Sequence, residues 1–355
     1  MRPEQWRTFK RAAFREKLDQ VPLALIVDSP WIPGYLGIGH LDYYLDPELW
    51  FQSNLKIIEE FPEITFVPGW WVEYGMAAEP SVLGSKIKFW VDNTPSEEST
   101  LVRLEDIAEF PDYEIENDGF AALTLHRYRM AVPRILEAGY TLPFATARGP
   151  LCTAAFVRGT TNLMMEIIEK PEETHRLIDL CTRVVIDWLK AQRAVIGDTV
   201  EGIFVLDDIV GFVGEEHYLE FAHPYLKRIC DAFPDDWVKL YHNDASVDAC
   251  LEHLPDTGFN VLNWGKQTDI REVKRRVGDR MCLMGNVNPL EIGVRGTPEE
   301  VRKATLDVLE GGVGDDGTGL ILSVGGGVSP GMPRQNIVAM LEALKEFNAG
   351  GVAHP

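Results

Sequence analysis

Along the chain, short continuous apolar runs alternate with stretches in which apolar residues recur every three or four positions. The runs are LALIV at 23–27, TFVPG at 65–69, FATAR at 144–148, EGIFVLDD at 201–208, VKLYHND at 238–244, FNVLNWG at 259–265, MCLMGNVN at 281–288 and LILSVGGG at 320–327. Unbroken runs of this length suit parallel strands buried on both faces, and the helical periodicity between them supplies the crossovers. Eight such units predict an α/β fold, a closed (β/α)8 TIM barrel.

The later helices carry clear start and stop signals. TPEEVRKATLDVLEGG opens with Thr297 as a cap, a proline and acids in its first turn, and ends in glycine. PRQNIVAMLEALKEF closes the pattern in the same manner. Residues 152–196 form a helical stretch too long for one crossover helix. FKRAAFREK reads as an N-terminal helical extension, and residues 70–120 as an insertion after the second strand, with a hairpin in GSKIKFWVDN. No Gly-, Ser- or Pro-rich linker divides the chain, which predicts one domain over 1–355.

Composition narrows the partners. With 45% hydrophobic and 25% charged residues the chain reads as an ordinary soluble globular protein. A formal charge of −21 repels a phosphate backbone or an anionic membrane surface, so neither nucleic acid nor membrane is expected as a partner. No apolar run has the length of a membrane span, and MRPEQWRTFKRAAFREK lacks the apolar core of a signal peptide, which predicts a cytoplasmic protein. Cys152, Cys181, Cys230, Cys250 and Cys282 show no paired spacing and read as small core residues.

In a barrel of this kind the chemistry sits at the carboxyl ends of the strands. The polar groups there are Asp207 and Asp208, then His242, Asn243 and Asp244, then Asn263 beside Trp264, then Asn286, and finally Gly325, Gly326 and Gly327. Side chains alternate along a strand, so His242 and Asp244 can face one side, whereas only one of Asp207 and Asp208 can face the axis. A histidine with carboxylates suits a zinc-type Lewis acid site or a general acid/base pair. Equally, Asp244 can simply cap a following helix, ASVDACLEHL. The triple glycine admits close approach of a ligand to backbone. Trp70, Trp71 and Tyr74, in the stretch WWVEYG, can wall a pocket for a planar ligand or pack as a lid. No dinucleotide, phosphate-loop or nucleophile-elbow motif is present.

GNVNPLEIGVRGTPEEVRKAT followed by GLILSVGGGVSPGMPRQNIVAMLEA resembles the C-terminal signature of the uroporphyrinogen decarboxylase superfamily. RGPLCTAAFVRGTTNLMMEIIEKPEETHRLIDLCTRVV resembles its central segment, and FKRAAFREKLDQVPLAL its first helix and strand, so the likeness runs from about residue 8 to 347. The resemblance implies a (β/α)8 barrel and one of two activities: decarboxylation of uroporphyrinogen, or methyl transfer with corrinoid proteins. Decarboxylases of this family resemble one another in an arginine-rich loop after the first strand; here that region reads VDSPWIPGYLGIGHLDYYLD and has no arginine. Thiol methyltransferases resemble one another in His-x-Cys at the fifth strand exit and a further Cys in the final glycine turn, which bind zinc. His242 is kept, but Asp244 and Gly326 stand at the two cysteine positions.

The resemblance therefore implies a cobalamin-dependent methyltransferase that demethylates a small methoxylated substrate. His242, Asp207 and Asp208 are its catalytic candidates. Zinc would sit on His242 with Asp244, Asp207 or Asp208, with Glu79 and Glu73 completing the set, or else His242 would act as an acid; the substrate would lie beside Trp70, Trp71, Tyr74, Asn263, Trp264, Asn286 and Gly326. The chain carries no extra domain for cobalamin, so a corrinoid protein is the expected partner, with a second copy of the chain, as a homodimer, another candidate. The alternatives are decarboxylation of a different acid, or methyl transfer with tetrahydrofolate.

Overall fold

The computed structural model describes residues 1–27, 29–75, 77–314 and 317–350. Its strands are β1 (Ala24–Ile26), β2 (Thr65–Val67), β3 (Lys86–Lys88), β4 (Ser96–Glu98), β5 (Phe144–Arg148), β6 (Gly202–Leu206), β7 (Val238–Asn243), β8 (Val261–Trp264), β9 (Cys282–Val287) and β10 (Leu320–Val324). Every strand other than β3 and β4 lies inside one of the eight predicted runs. β5 to β10 form one parallel sheet in sequence order, β1 pairs with β2, and bridges at Leu23 to Leu322 and Ile26 to Gly327 join β1 to β10.

The barrel is not closed. Among the described residues no ladder connects β2 to β5. β2 stops at Pro68, which has no N–H to give a ladder, and the chain then leaves for the insertion that holds the β3–β4 hairpin. That hairpin is longer than GSKIKFWVDN allows, since its second arm lies at Ser96–Glu98.

Strand alternation sorts the apolar residues into two cores. Ala24, Ile26, Phe144, Phe204, Leu240, Val261, Met284 and Ile321 face inward and pack with Trp6, Phe9, Ala12 and Ala13 of helix Pro3–Ala13. This helix plugs the amino end of the barrel, and its Phe9 and Trp6 meet the edge of Phe144 at 5.8 and 5.2 Å. The intervening residues, such as Ala145, Val205, Tyr241, Leu262 and Leu283, face outward into the core beneath the surrounding helices.

The predicted helices form with one difference. The stretch 152–196 is covered by three helices, Pro150–Arg158, Thr160–Glu169 and Pro171–Ile196, interrupted at Gly159 (φ 90°) and before Pro171. Thr297 and Glu300 close a capping box on helix Pro298–Val313. ASVDACLEHL, by contrast, forms no α-helix, its turns leading into a single 3-10 turn at Leu254–Thr257, and Asp244 caps no helix. Asn243 Oδ1 accepts from Ala245 N at 2.8 Å and Ser246 Oγ from Asp248 N at 3.3 Å, so local side chains hold the turns after β7. Among the described residues no helix is long and apolar enough to cross a membrane.

Replacing the buried Phe9 by alanine opens a cavity at the barrel floor and should cost roughly 3–5 kcal/mol. Urea unfolding measures it; a loss under about 1 kcal/mol would show that the helix adds little to the barrel core.

Candidate active site

The inward set continues past the apolar layers to the carboxyl ends of the strands. There the same alternation places Arg148 on β5, Asp208 just beyond β6, His242 on β7, Asp244 two residues later and Asn263 on β8. In register Arg148 lies opposite Leu206, Leu206 opposite His242, and His242 opposite Asn263. Arg148, Asp208, His242 and Asp244 line a cavity of roughly 210 Å³, together with Ser329 from the loop after β10. A larger groove of roughly 710 Å³ runs along the flank beside helix Pro171–Ile196. No strand-end residue lines it, so the smaller cavity is the place for chemistry.

Asn263 fixes the orientation of the histidine. Its Nδ2 donates to Met284 O at 2.7 Å and Val324 O at 3.1 Å, which turns Oδ1 toward His242 Nδ1 at 2.7 Å. An acceptor there selects the tautomer with a proton on Nδ1 and leaves Nε2 facing the cavity. Nε2 lies 3.7 Å from Asp208 Oδ1 and 3.6 Å from Asp244 Oδ2. One atom from each of the three side chains lies within 4.8 Å of the others.

The two carboxylates are themselves held in place. Asp208 Oδ1 accepts from Asp244 N at 2.6 Å. The Asp244 carboxylate rests against Gly326, whose φ is 94° and where any Cβ would collide with Oδ1. Burial on its own would lower the His242 pKa, but the charge of Asp244, aided by Asp208 and Asn263, outweighs it and raises the value to about 9. Burial likewise works to raise the Asp244 pKa, and the imidazolium reverses it to a lowered one.

Asp207 does not join them. It is fully buried on the outward side, where its carboxylate accepts from Leu151 N at 3.2 Å and Cys152 N at 2.7 Å at the start of helix Pro150–Arg158. Trp70 and Trp264 also face away. Trp70 packs among Trp50, Phe51 and Tyr140, and Trp264 donates its indole N–H to Thr268 O at 2.9 Å. Tyr74 sits in a cluster with Tyr44, Phe89 and Phe120. Asn286 donates to Thr268 O at 3.1 Å, tying down the loop after β8. Glu79 Oε1 accepts from Arg148 N at 2.7 Å and Glu73 Oε1 from Ser29 N at 2.6 Å, so both act on backbone beside the cavity and lie outside the three-ligand group. Of the aromatic stretch, Trp71 comes nearest, with Arg148 Cζ 5.4 Å from its ring centroid.

Sequence reasoning passed over Arg148. The signal was available: it is the last residue of the apolar run FATAR, a charge at a strand's carboxyl end.

A profile described as Uroporphyrinogen decarboxylase (URO-D) matches residues 6–347. The chain belongs to the uroporphyrinogen decarboxylase family. Among its relatives is the "Uroporphyrinogen decarboxylase" of Pseudoalteromonas translucida, 27% identical over 288 residues, which are 76% of each chain. The "Methylcobamide:CoM methyltransferase MtbA" of Methanosarcina acetivorans is 27% identical over 282 residues, 78% of this chain and 79% of that one. A solved structure described as a methyltransferase from Methanosarcina mazei superposes with a TM-score of 0.81 at 19% identity, covering 96% of this chain and 97% of that one. That last likeness establishes the fold. The relatives of this family member are enzymes, and it is one too.

Asp207, outside the three-residue cluster, generates a pH test of its own. Burial pushes its pKa up to about 7, against the hydrogen bonds from Cys152 and Leu151. An unfolded aspartate titrates near pH ~4, so between about pH 4 and 7 the folded state binds more protons than the unfolded one. Wild-type stability should therefore fall relative to Asp207→Asn as pH rises through that window, and level off above it. Urea unfolding across the range measures this; a difference constant with pH would mean that the buried carboxyl is ionised throughout.

Proposed function

We propose that this enzyme demethylates a small methoxylated compound, passing the methyl group to the cobalt(I) of a corrinoid carried by a separate protein. The observation that carries the reading is the Asp208–His242–Asp244 cluster, oriented by Asn263, at the strand ends. Two relatives that differ in reaction by name, a decarboxylase and a methylcobamide-dependent methyltransferase, leave the choice to the site. This site presents a nitrogen and carboxylate oxygens, a hard set that favours polarising an oxygen over activating a thiol.

The three side chains fit a divalent metal such as zinc: one imidazole, two carboxylates, and a hydrogen bond on the far ring nitrogen that holds the ligand in place. When bound there, the metal would supply Lewis acidity toward an ether oxygen. Cobalt(I) of the partner's corrinoid, as the methyl acceptor, would supply the electron pair for the new bond to methyl carbon. In the demethylation the C–O bond breaks, both its electrons stay on oxygen, and the alkoxide or phenoxide takes up a proton. In the metal-free form His242 Nε2–H is placed to give that proton, with Asp208 and Asp244 stabilising the imidazolium beforehand. Asn263 keeps the ring from turning.

The assay is methyl transfer from a panel of methyl ethers to cobalt(I) cobalamin, followed by the cobalamin spectrum. His242→Ala should lower kcat about 100-fold or more, and Asn263→Ala about 10-fold with KM nearly unchanged, because orientation and not binding is lost. Metal analysis should find zinc in the wild type and none in His242→Ala or Asp244→Ala; full activity without metal would leave the acid role alone. Carbon dioxide release from a carboxylic acid, with no methyl transfer from any ether, would overturn the reading.

A further inference from the structure

Among the described residues Arg148 is a cation with no hydrogen-bonding or anionic partner for its guanidinium. It is 7% exposed, yet among the described residues no acceptor lies within hydrogen-bond distance of its guanidinium and no carboxylate within ion-pair distance. Its charge is felt by Asp244, Glu79 and Glu97, all at longer range. A guanidinium removed from water in this way normally carries its acceptors with it. Here none of its nitrogens is sealed from the cavity, whose wall it forms. Trp71 lies beside the group at a cation–π distance, its ring centroid 5.4 Å from Cζ, and a ring offers the N–H fork no in-plane acceptor.

We infer that Arg148 anchors the substrate by a carboxylate, so that the methyl donor is a small methoxylated carboxylic acid. The inference rests on the proposed demethylation for the methoxy group and on Arg148 alone for the acid. A planar, two-oxygen acceptor matches the fork as a bidentate pair. Register sets the span: Arg148 and His242 flank Leu206 on adjacent strands, so their backbones are about 10 Å apart while both side chains point into one cavity. An acid held at Arg148 thus reaches across toward His242 Nε2, and a cavity of roughly 210 Å³ limits it to a small molecule. Asp208 and Asp244 repel a carboxylate from the opposite side, which fixes the orientation as well as the affinity.

Calorimetric titration of the full chain with 4-methoxybenzoate and methoxyacetate, each against its neutral amide, tests this. At least one acid should bind about 10-fold or more tighter than its amide. Arg148→Gln should bring that ratio near one, and Arg148→Lys should restore part of it with melting temperature unchanged. An equal affinity for acid and amide in the wild type, no binding of either acid, or a preference that survives Arg148→Gln would overturn the anchor; inorganic phosphate binding tighter than both acids would overturn the carboxylate. The same ligands in the cobalt(I) assay separate the two proposals. Acid preference without methyl transfer would leave the anchor standing and the reaction not, whereas equal kcat/KM for acid and amide in wild type and Arg148→Gln would do the reverse.

Discussion

The two-residue period of the strands decides which polar groups meet in this protein. Each parallel strand presents one set of side chains to the barrel axis and the other to the helices, and both environments are dry. A polar group on the outward set must be satisfied there, as Asp207 is by two backbone N–H groups. A polar group on the inward set is buried in the lower layers or opens into the mouth. Arg148, Asp208, His242 and Asp244 share the second fate because each lies an even number of residues past an inward apolar neighbour on its own strand.

That placement would be costly if the groups were alone. An imidazole 4% exposed loses most of its hydration, and burial by itself favours the neutral form. Two carboxylates within 3.7 Å reverse the balance. The Asn263 amide matters for a different reason: its two N–H bonds are consumed by carbonyls of β9 and β10, so it has only an oxygen to offer. The ring is therefore held by a group that cannot flip without leaving three buried partners unsatisfied.

Much of this was legible in the sequence. The eight runs located the strands because doubly buried strands must be apolar throughout, and the strand-end rule selected His242, Asp208 and Asp244. What failed depended on register or on competition that periodicity does not report. Choosing between Asp207 and Asp208, or between Trp70 and Trp71, requires knowing which residue of each strand faces inward, and a uniformly apolar strand erases that signal. The open seam follows from a proline after a three-residue strand, while the turns after Asp244, held by local side-chain bonds, carry the same apolar spacing as a helix. Arg148 was visible as a residue but had no motif to mark it.

Charge ties the pieces of the cavity together. With His242 protonated, Asp208 and Asp244 are balanced by His242 and Arg148, so the four groups sum to neutrality. A divalent metal held by Asp208, His242 and Asp244 would displace the imidazole proton and leave the set one unit positive. An anion on Arg148 would then gain from such a metal, and by thermodynamic reciprocity the metal would gain equally from the anion. The same pairing explains why positions 244 and 326 are coupled. The carboxylate that takes part in this balance occupies the space directly over Gly326, so a side chain at 326 would displace it from the reach of His242.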